Sequence, residues 1–354
     1  GEFSDEILTL DRLAKKLRIR RFEEGAIEFD REEVRFDIDE DGHPTGVYVK
    51  VSKDANKLIE EFMLLANRTV ATAIGKPAKG KKAKAFVYRI HDMPDATKLS
   101  NLATLARTFG YRLKTTGSAD EVNKSINRML IQVKGTPEEN LLSTLAIRSM
   151  AKAAYSVNNI GHYGLAFDYY THFTSPIRRY PDMMVHRLLD KYLNGGRSAN
   201  REKLENECKH SSEMEQLAAQ AERSSIKYKQ VEYMADRLGE TFQGVISGVT
   251  EWGLYVELDD NHCEGLVPMR DLADDYYDFD EKNYCLTGRR HNNRYRLGDI
   301  VKVQVARADV NRRMLDFWLL DDCGRPKTKD DSVSVAEALR NTKQKHGRKQ
   351  RRRR

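Results

Sequence analysis

The stretch that decides the fold of the carboxy-terminal part is Thr241-Phe242-Gln243-Gly244-Val245-Ile246-Ser247-Gly248-Val249-Thr250-Glu251-Trp252-Gly253-Leu254-Tyr255-Val256-Glu257-Leu258. β-Branched and aromatic residues alternate with polar ones along it, and glycines recur where a strand must bend or another backbone must come close. The habit continues in Gly265-Leu266-Val267, in Asp299-Ile300-Val301-Lys302-Val303-Gln304-Val305 and in Met314-Leu315-Asp316-Phe317-Trp318. Five short strands in about eighty residues predict a small closed barrel.

Upstream of Gly239 the period is helical. Residues 202–238 read as one or two long helices with Met214, Leu217, Ala218, Ala221, Val231, Met234, Ala235 and Leu238 on one stripe. A second helix follows Ser52 or Asp54 as cap. It places Leu58, Ile59, Phe62, Met63, Leu65, Ala66, Val70 and Ile74 at helical spacing and stops at Gly75 and Pro77. Before it, Val34, Phe36 and Ile38 alternate with polar residues. They predict a strand that turns at Glu40-Asp41-Gly42-His43 and returns as Gly46–Val51. A short basic amphipathic helix precedes that hairpin. Ala85-Phe86-Val87-Tyr88 reads as a strand, with further helices to about Tyr155. The expected class is α+β.

The chain has 354 residues, 61 Lys+Arg against 54 Asp+Glu, and a net charge of +7. Its last fourteen residues, Asn341 to Arg354, hold eight Lys/Arg and no acid, so the rest of the chain is close to neutral. Such a like-charge run cannot bury apolar surface. It reads as a disordered arm for polyanions or as a solubilising tail. Apolar runs are only a handful of residues long, which predicts no membrane span and a soluble, cytoplasmic protein. Cys208, Cys263, Cys285 and Cys323 form no CxxC pair, which argues against a zinc finger or a disulfide framework. Gly1-Glu2-Phe3, with no initiator Met, reads as a tag remnant.

Two constellations carry chemistry. Trp252 and Tyr255 flank Gly253, where a bulge would turn both rings outward as stacking platforms for bases; the alternative leaves one ring in the core. His172-Phe173-Thr174-Ser175-Pro176-Ile177-Arg178-Arg179-Tyr180-Pro181-Asp182 reads as a helix start, with Ser175 as N-cap and Pro176 in the first turn. Arg178 and Arg179 beside free amides suit a phosphodiester. As bare chemistry they equally suit a surface ion-pair cluster.

The order Gly244-Val245, Trp252–Val256, Glu264–Pro268 and Tyr295–Asp299 resembles the S1 RNA-binding domain, an oligonucleotide-binding barrel; the family's histidine falls at Pro268 here. The stretch from Gly161-His162-Tyr163-Gly164-Leu165-Ala166 to Arg187 resembles the signature of the ribonuclease II and ribonuclease R exoribonucleases. That likeness extends upstream through Gly25–Phe29 and Asn56–Glu61 and downstream through Ala221-Glu222-Arg223. It implies boundaries at 4–239 for the carboxy-terminal part of a ribonuclease II-type catalytic domain, 240–320 for the S1 barrel and 321–354 for the tail.

The resemblance also implies roles. Phe29 would stack on a base near the RNA 3′ end, and Glu60 or its neighbour Glu61 would hold the terminal ribose. Arg178 would grip the scissile phosphate, with Arg179 and Tyr180 beside it as RNA contacts, and Glu222 would lie near the scissile end. On the residues alone, Phe29 equally reads as strand core and the glutamates as solvated helix faces. The implied activity is processive 3′-to-5′ hydrolysis of RNA to nucleoside 5′-monophosphates with magnesium. The partners are single-stranded 3′ ends and, as a second candidate, structured RNA. No matching metal-binding acidic motif occurs in this chain. Asp37, Asp39 and Asp41, the group Asp274, Asp275, Asp278 and Asp280, and the pair Asp321-Asp322 read as solvated acids. Composition and strands alone support RNA binding, so the alternative class is a non-catalytic RNA-binding or chaperone-like protein. Oligomeric state is not legible.

Overall fold

The computed structural model describes residues 1–27, 33–77, 79–80, 82–136, 138–281 and 283–327. Phe29 and the basic tail from Asn341 to Arg354 lie outside them. The fold is α+β. In chain order its elements are helix α1 (Ser4–Glu23), the antiparallel hairpin β1 (Glu33–Ile38) and β2 (Pro44–Lys50), and helix α2 (Asp54–Gly75). Strand β3 (Tyr88–Ile90) leads to helices α3 (Ala96–Thr108), α4 (Ala119–Val133) and α5 (Glu139–Ser149), then β4 (Ala154–Ser156), α6 (Tyr180–Leu193) and the long α7 (Arg201–Ala235). Two compact units share these elements: residues 1–31, 51–134 and 142–220 form one, and residues 32–50, 135–141 and 221–354 the other.

In the first unit the core gathers Phe86, Val87 and Tyr88 against Tyr155 and Val157, Met184, Val185 and Leu188 of α6, and Leu204 and Cys208 of α7. The predicted strand Ala85–Tyr88 is buried, but only Tyr88 enters the ladder, where it pairs with Ser156. Helix α1 starts at Ser4, ahead of the predicted basic segment. Helix α2 is capped by neither Ser52 nor Asp54. Lys53 is its N-cap, and the Lys53 N–H donates to Asn56 Oδ1 at 3.0 Å.

The buried side of α2 also differs from the apolar stripe. Ile59 and Leu65 are exposed, whereas Glu61, Leu64, Asn67, Ala71 and Gly75, three to four residues apart, are buried. Two of those five are polar, and polar groups leave water only where partners meet them. Arg21 of α1 donates to Glu61 at 2.5 Å, and Asn67 is bonded on both its amide atoms. The helix therefore turns inward the side whose polar groups find partners.

In the second unit, barrel strands β5 (Thr241–Thr250), β6 (Gly253–Leu258) and β7 (Glu264–Pro268) are followed by an inserted three-stranded sheet. That sheet comprises β8 (Tyr277–Asp280), β9 (Cys285–Gly288) and β10 (Arg294–Arg296), and the barrel resumes with β11 (Ile300–Asp309) and β12 (Met314–Leu319). The barrel closes in the order β11-β12-β7-β6-β5, as the sequence predicts. Between β12 and β7 the closure is parallel and has a single register pair, Asp316 with Leu266.

Helix α7 is one helix, but its predicted apolar stripe is buried only toward its carboxy-terminal end. Val231 and Met234 are fully buried, whereas Met214 and Leu217 are exposed. The difference follows the partners: Gln230 donates to the His262 carbonyl at 3.0 Å and Lys227 to that of Glu264, which seats this end against the barrel. The β1–β2 hairpin meets the same end through an edge contact of Phe36 with Tyr233. Cys208, Cys263 and Cys285 are buried and Cys323 is exposed, all as free thiols. Among the described residues no helix is long and apolar enough to cross a membrane.

A Cβ on Gly265 would come within 2.5 Å of the Phe317 ring, which is itself fully buried. Gly265→Ala is expected to destabilise the barrel by about 1–3 kcal/mol through overpacking, read as a lowered urea midpoint for the intact chain. An unchanged midpoint would mean that Phe317 can move aside.

Candidate functional site

The segment from Tyr170 to Asp182 holds the predicted phosphate-binding arginines, and its local structure differs from a simple helix start. Ser175 is not the N-cap. Residues 176–178 form a turn in which the Arg178 and Arg179 amides donate to the Ser175 carbonyl at 3.3 and 3.1 Å. Helix α6 begins only at Tyr180, with Arg179 as N-cap and Pro181 in the first turn. Proline lacks an amide hydrogen and disfavours helical backbone in the residue before it, which makes Pro181 a strong start signal. Pro176 marks the turn instead.

Asp182 holds this arrangement. Its side chain is fully buried, and its Oδ1 accepts from the Ser175 amide at 2.8 Å. Arg179 lays a two-pronged guanidinium on the same carboxylate, Nε to Oδ2 and Nη2 to Oδ1, both at 2.8 Å. Such bidentate charged bonds are the strong ones. The two adjacent arginines thus diverge: Arg179 is engaged inward, whereas Arg178 is exposed, with Ser175 Oγ at 3.5 Å from its Nη2. Tyr180, 55% exposed, stands beside them at the head of α6.

Behind the turn, Asn67 ties α2 to the strand-like run. Its Nδ2 donates to Tyr170 Oη at 3.1 Å, and its Oδ1 accepts from the Phe173 amide at 2.9 Å. Phe173 stacks on His186 at 4.1 Å between centroids, and Thr171 donates to the Val87 carbonyl. A cleft of about 500 Å³ opens here, lined by Asn56, Ile59, Glu60, Asn67, Tyr170 and Arg179 among others. The neighbouring glutamates face different surroundings because successive helical residues are about 100° apart. Glu60 lines this cleft, whereas Glu61 is buried against Arg21 and Arg18 and borders a separate hollow with Arg20 and Arg68.

A layer of aromatic and histidine rings underlies the site. Tyr155 Oη lies 2.8 Å from His172 Nδ1, with Arg89 over the Tyr155 ring and paired to Glu215 at 2.6 Å. His162 packs edge-on to Tyr170 and 4.9 Å from His91. Burial, reinforced by Arg179 and Arg89, lowers His172 to about 2, and burial with His91 and Arg89 lowers His162 to about 3. Burial likewise raises the Tyr155 phenol to about 12. At neutral pH this layer is uncharged, leaving the arginines as the positive groups.

The other predicted residues lie elsewhere in the chain. Glu222 is an exposed residue of α7 and belongs to the second unit. Trp252, 69% exposed, sits in the turn between β5 and β6. Tyr255 alternates with the fully buried Leu254 and Val256, so its ring lies on the outer side of the barrel. The expected bulge at Gly253 is absent: the register slips in β5 between Ile246 and Gly248. Gly253 has a φ of 141°, and a Cβ there would meet the Val267 carbonyl at 2.1 Å. Close backbone approach therefore requires this glycine.

Among the described residues no three His, Cys, Asp or Glu side chains converge to hold a metal ion. Several of the acids considered from the sequence have local partners. Asp39 caps its own hairpin turn, Asp275 holds loop amides, and Asp274, Asp278 and Asp321 pair with Lys327, Arg289 and Arg325. They do not fit a catalytic metal centre.

A family model for the RNB domain matches residues 2–195, more than half of the chain, and one for the S1 RNA binding domain matches residues 235–318. The chain belongs to the RNB-domain family. Ribonuclease R of Aquifex aeolicus is 40% identical over 326 residues, covering 90% of this chain and 45% of that protein. Ribonuclease R of Escherichia coli is 35% identical over 332 residues, covering 90% and 40%. The apo form of Mycoplasma genitalium RNase R superposes with a TM-score of 0.81 at 27% identity, over 89% of this chain and 49% of that one. The chain thus spans less than half the length of the curated relatives it matches.

Sequence reasoning missed Asp182 and Asn67 as site residues. Both carried a signal: Asp182 stands three residues after Arg179 in a helical first turn, and Asn67 lies seven residues, about two turns, beyond Glu60 on the same face of α2.

Asp182→Ala should lower stability by about 3–5 kcal/mol, because Arg179 loses its buried partner and the Ser175 amide its acceptor. Asp182→Asn, which keeps an acceptor, should lose less. Equal midpoints for Asp182→Ala and wild type in chemical denaturation would show that the turn is held by other bonds.

A second expectation concerns acid. His162 and His172 gain protons in the native state only near 3 and 2, but near 6.5 when unfolded. The unfolded chain therefore binds more protons between those limits, and stability falls as pH drops below about 6.5. Two such histidines contribute a loss on the order of 2 kcal/mol between pH 6 and 5. Urea midpoints across that range test this, with His172→Gln expected to shallow the dependence; identical dependence in the variant would contradict a neutral buried His172.

Proposed function

We propose that this chain is the carboxy-terminal, RNA-holding portion of a processive 3′-to-5′ exoribonuclease that releases nucleoside 5′-monophosphates. The observation that carries the reading is the cleft lined by Glu60 and Arg179 next to an exposed Arg178 on a braced turn, in a chain of the RNB-domain family. The M. genitalium relative is described in complex with ribose methylated single-stranded RNA, which supports single-stranded RNA as the partner here; that the cleft holds its 3′ end is part of the proposal. Structured RNA is the second substrate candidate. We take residues 4–239 as the catalytic-domain portion, 240–320 as the RNA-binding barrel and 321–354 as a basic arm, working in the cytoplasm.

In this reading Arg178 holds the scissile phosphate and offsets charge that develops on it, the kind of preorganised electrostatic aid that lowers a barrier most. Arg179 keeps the turn closed and lends one wall to the cleft. Glu60 accepts hydrogen bonds from the terminal ribose, because Glu61 is already engaged by Arg21. Tyr180 and Phe29 flank the terminal nucleotides, and Glu222 lies near the scissile end. Trp252 and Tyr255 stack upstream bases. The chemistry also takes a divalent metal, magnesium by the same reading, and the described residues do not supply its ligands.

Purified chain is accordingly expected to bind a short unstructured RNA without degrading it. Robust magnesium-dependent degradation by this chain, free of contaminating nuclease, would reveal an acidic centre among its own residues. In a polypeptide extended to the length of its relatives, Arg178→Lys should cut the rate roughly tenfold or more although the charge is kept, because the planar fork is lost. Unchanged turnover would remove Arg178 from the mechanism.

A further inference from the structure

The sheet inserted between β7 and β11 carries a cluster that the reading above does not use. Residues 288–296, Gly-Arg-Arg-His-Asn-Asn-Arg-Tyr-Arg, hold four arginines, a histidine and no acid. The acids of the insertion are drawn into its frame. Asp275, its side chain fully buried, accepts from the amides of Tyr276 at 2.7 Å, Arg290 at 3.0 Å and His291 at 2.8 Å, pinning the start of the loop. Asp278 is forked by Arg289 at 2.8 and 2.6 Å. Asp274 accepts from Lys327 and from the Tyr277 hydroxyl, both at 3.0 Å. Asp280 accepts from Asn283.

Three arginines remain directed outward. Arg294 and Arg296 alternate along β10 with Tyr295, so they share one side of the strand while Tyr295 packs against Tyr277 at 5.5 Å on the other. Both are exposed, as is Arg290, whose guanidinium lies 5.1 Å from the centre of the Tyr276 ring. Tyr276 is itself 57% exposed. Among the described residues none of the three arginines forms an ion pair with a carboxylate. Asp299, which accepts from the Arg296 amide at 2.6 Å, is the carboxylate beside them, so three exposed guanidinium groups share little counter-charge and attract polyanions. An accessible ring beside them adds what a nucleobase needs, since stacking accepts any base face.

We infer that the β9–β10 hairpin is a second RNA contact, with Arg290, Arg294 and Arg296 on backbone phosphates and Tyr276 under a base, in addition to the rings at Trp252 and Tyr255. The inference rests on the reading of the chain as RNA-binding. Single-stranded RNA is the partner these groups fit, because it offers phosphates and unstacked bases together.

The test is a titration of the intact chain with a short unstructured RNA from low to moderate salt. Replacing Arg290, Arg294 and Arg296 by Gln should make the slope of log K against log salt shallower by about 2, at about 0.7 per phosphate contact. Replacing the same three by Lys should keep most of the slope. Tyr276→Ala should weaken binding roughly fivefold to a hundredfold at every salt concentration, with little change of slope. All replaced side chains are exposed, and circular dichroism on melting checks that the variants fold. If wild type fails to bind RNA, the broader reading fails. If wild type binds and Trp252→Ala weakens it, but the Gln variant keeps the wild-type slope, the hairpin is a solvated surface and the inference is overturned. Displacement of RNA by poly-glutamate as readily as by unlabelled RNA would also overturn it, marking a general polyanion surface.

Discussion

A carboxylate with no access to water has to be neutralised where it stands, and Asp182 meets that demand with one arginine and one backbone amide. The consequences spread outward from that bond. Because Arg179 turns inward to satisfy Asp182, the turn from Ser175 closes, α6 starts at Tyr180, and Arg178 is the arginine left facing solvent. The same constraint recurs one layer deeper on α2, where Glu61 and Asn67 are buried only because Arg21, Tyr170 and the Phe173 amide meet them. The site is thus defined by which polar groups are already partnered. Those left over are the ones that can act on a ligand.

This division explains how electrostatics and aromatic packing cooperate. The rings of Tyr155, Tyr170, His162 and His172 form a layer held neutral by burial, so around neutral pH the positive charge at the site comes from its arginines alone. A low-polarity backing strengthens an arginine's hold on a phosphate compared with open water. The barrel works on different terms, presenting Trp252 and Tyr255 outside a core of alternating aliphatic residues.

The sequence was most informative where period and punctuation agree. The five barrel strands, the β1–β2 hairpin and the long α7 follow directly from alternation, turn residues and helical spacing. It misled where burial is decided by pairing. On α2 the apolar stripe pointed to Ile59 and Leu65, but the buried side carries Glu61 and Asn67, whose partners come from residues 40 and more positions away. At Ser175-Pro176 a strong local signal for a helix start was overridden by Pro181 and by the demand of Asp182 for the Ser175 amide. The choice between Glu60 and Glu61 could not be made from adjacent identical residues, and the structure separates them by a single helical step.

The barrel's parallel seam has a consequence for how the molecule comes apart. Every other pair of neighbouring barrel strands has a ladder of several register pairs, whereas β12 meets β7 through Asp316 and Leu266 alone. A side chain covers that edge: the Phe317 ring of β12 lies over Gly265 of β7, whereas the ion pair of Arg307 with the buried Asp316 ties β12 to β11 instead. A seam with one register pair and one covering ring has less to break than the ladders on either side, so it is the edge that opens at the lowest free energy. Amide exchange along β7 and β12 would therefore report a low-energy breathing mode. The barrel can loosen on that side while β5 and β6, which carry Tyr255 and flank the Trp252 turn, stay paired.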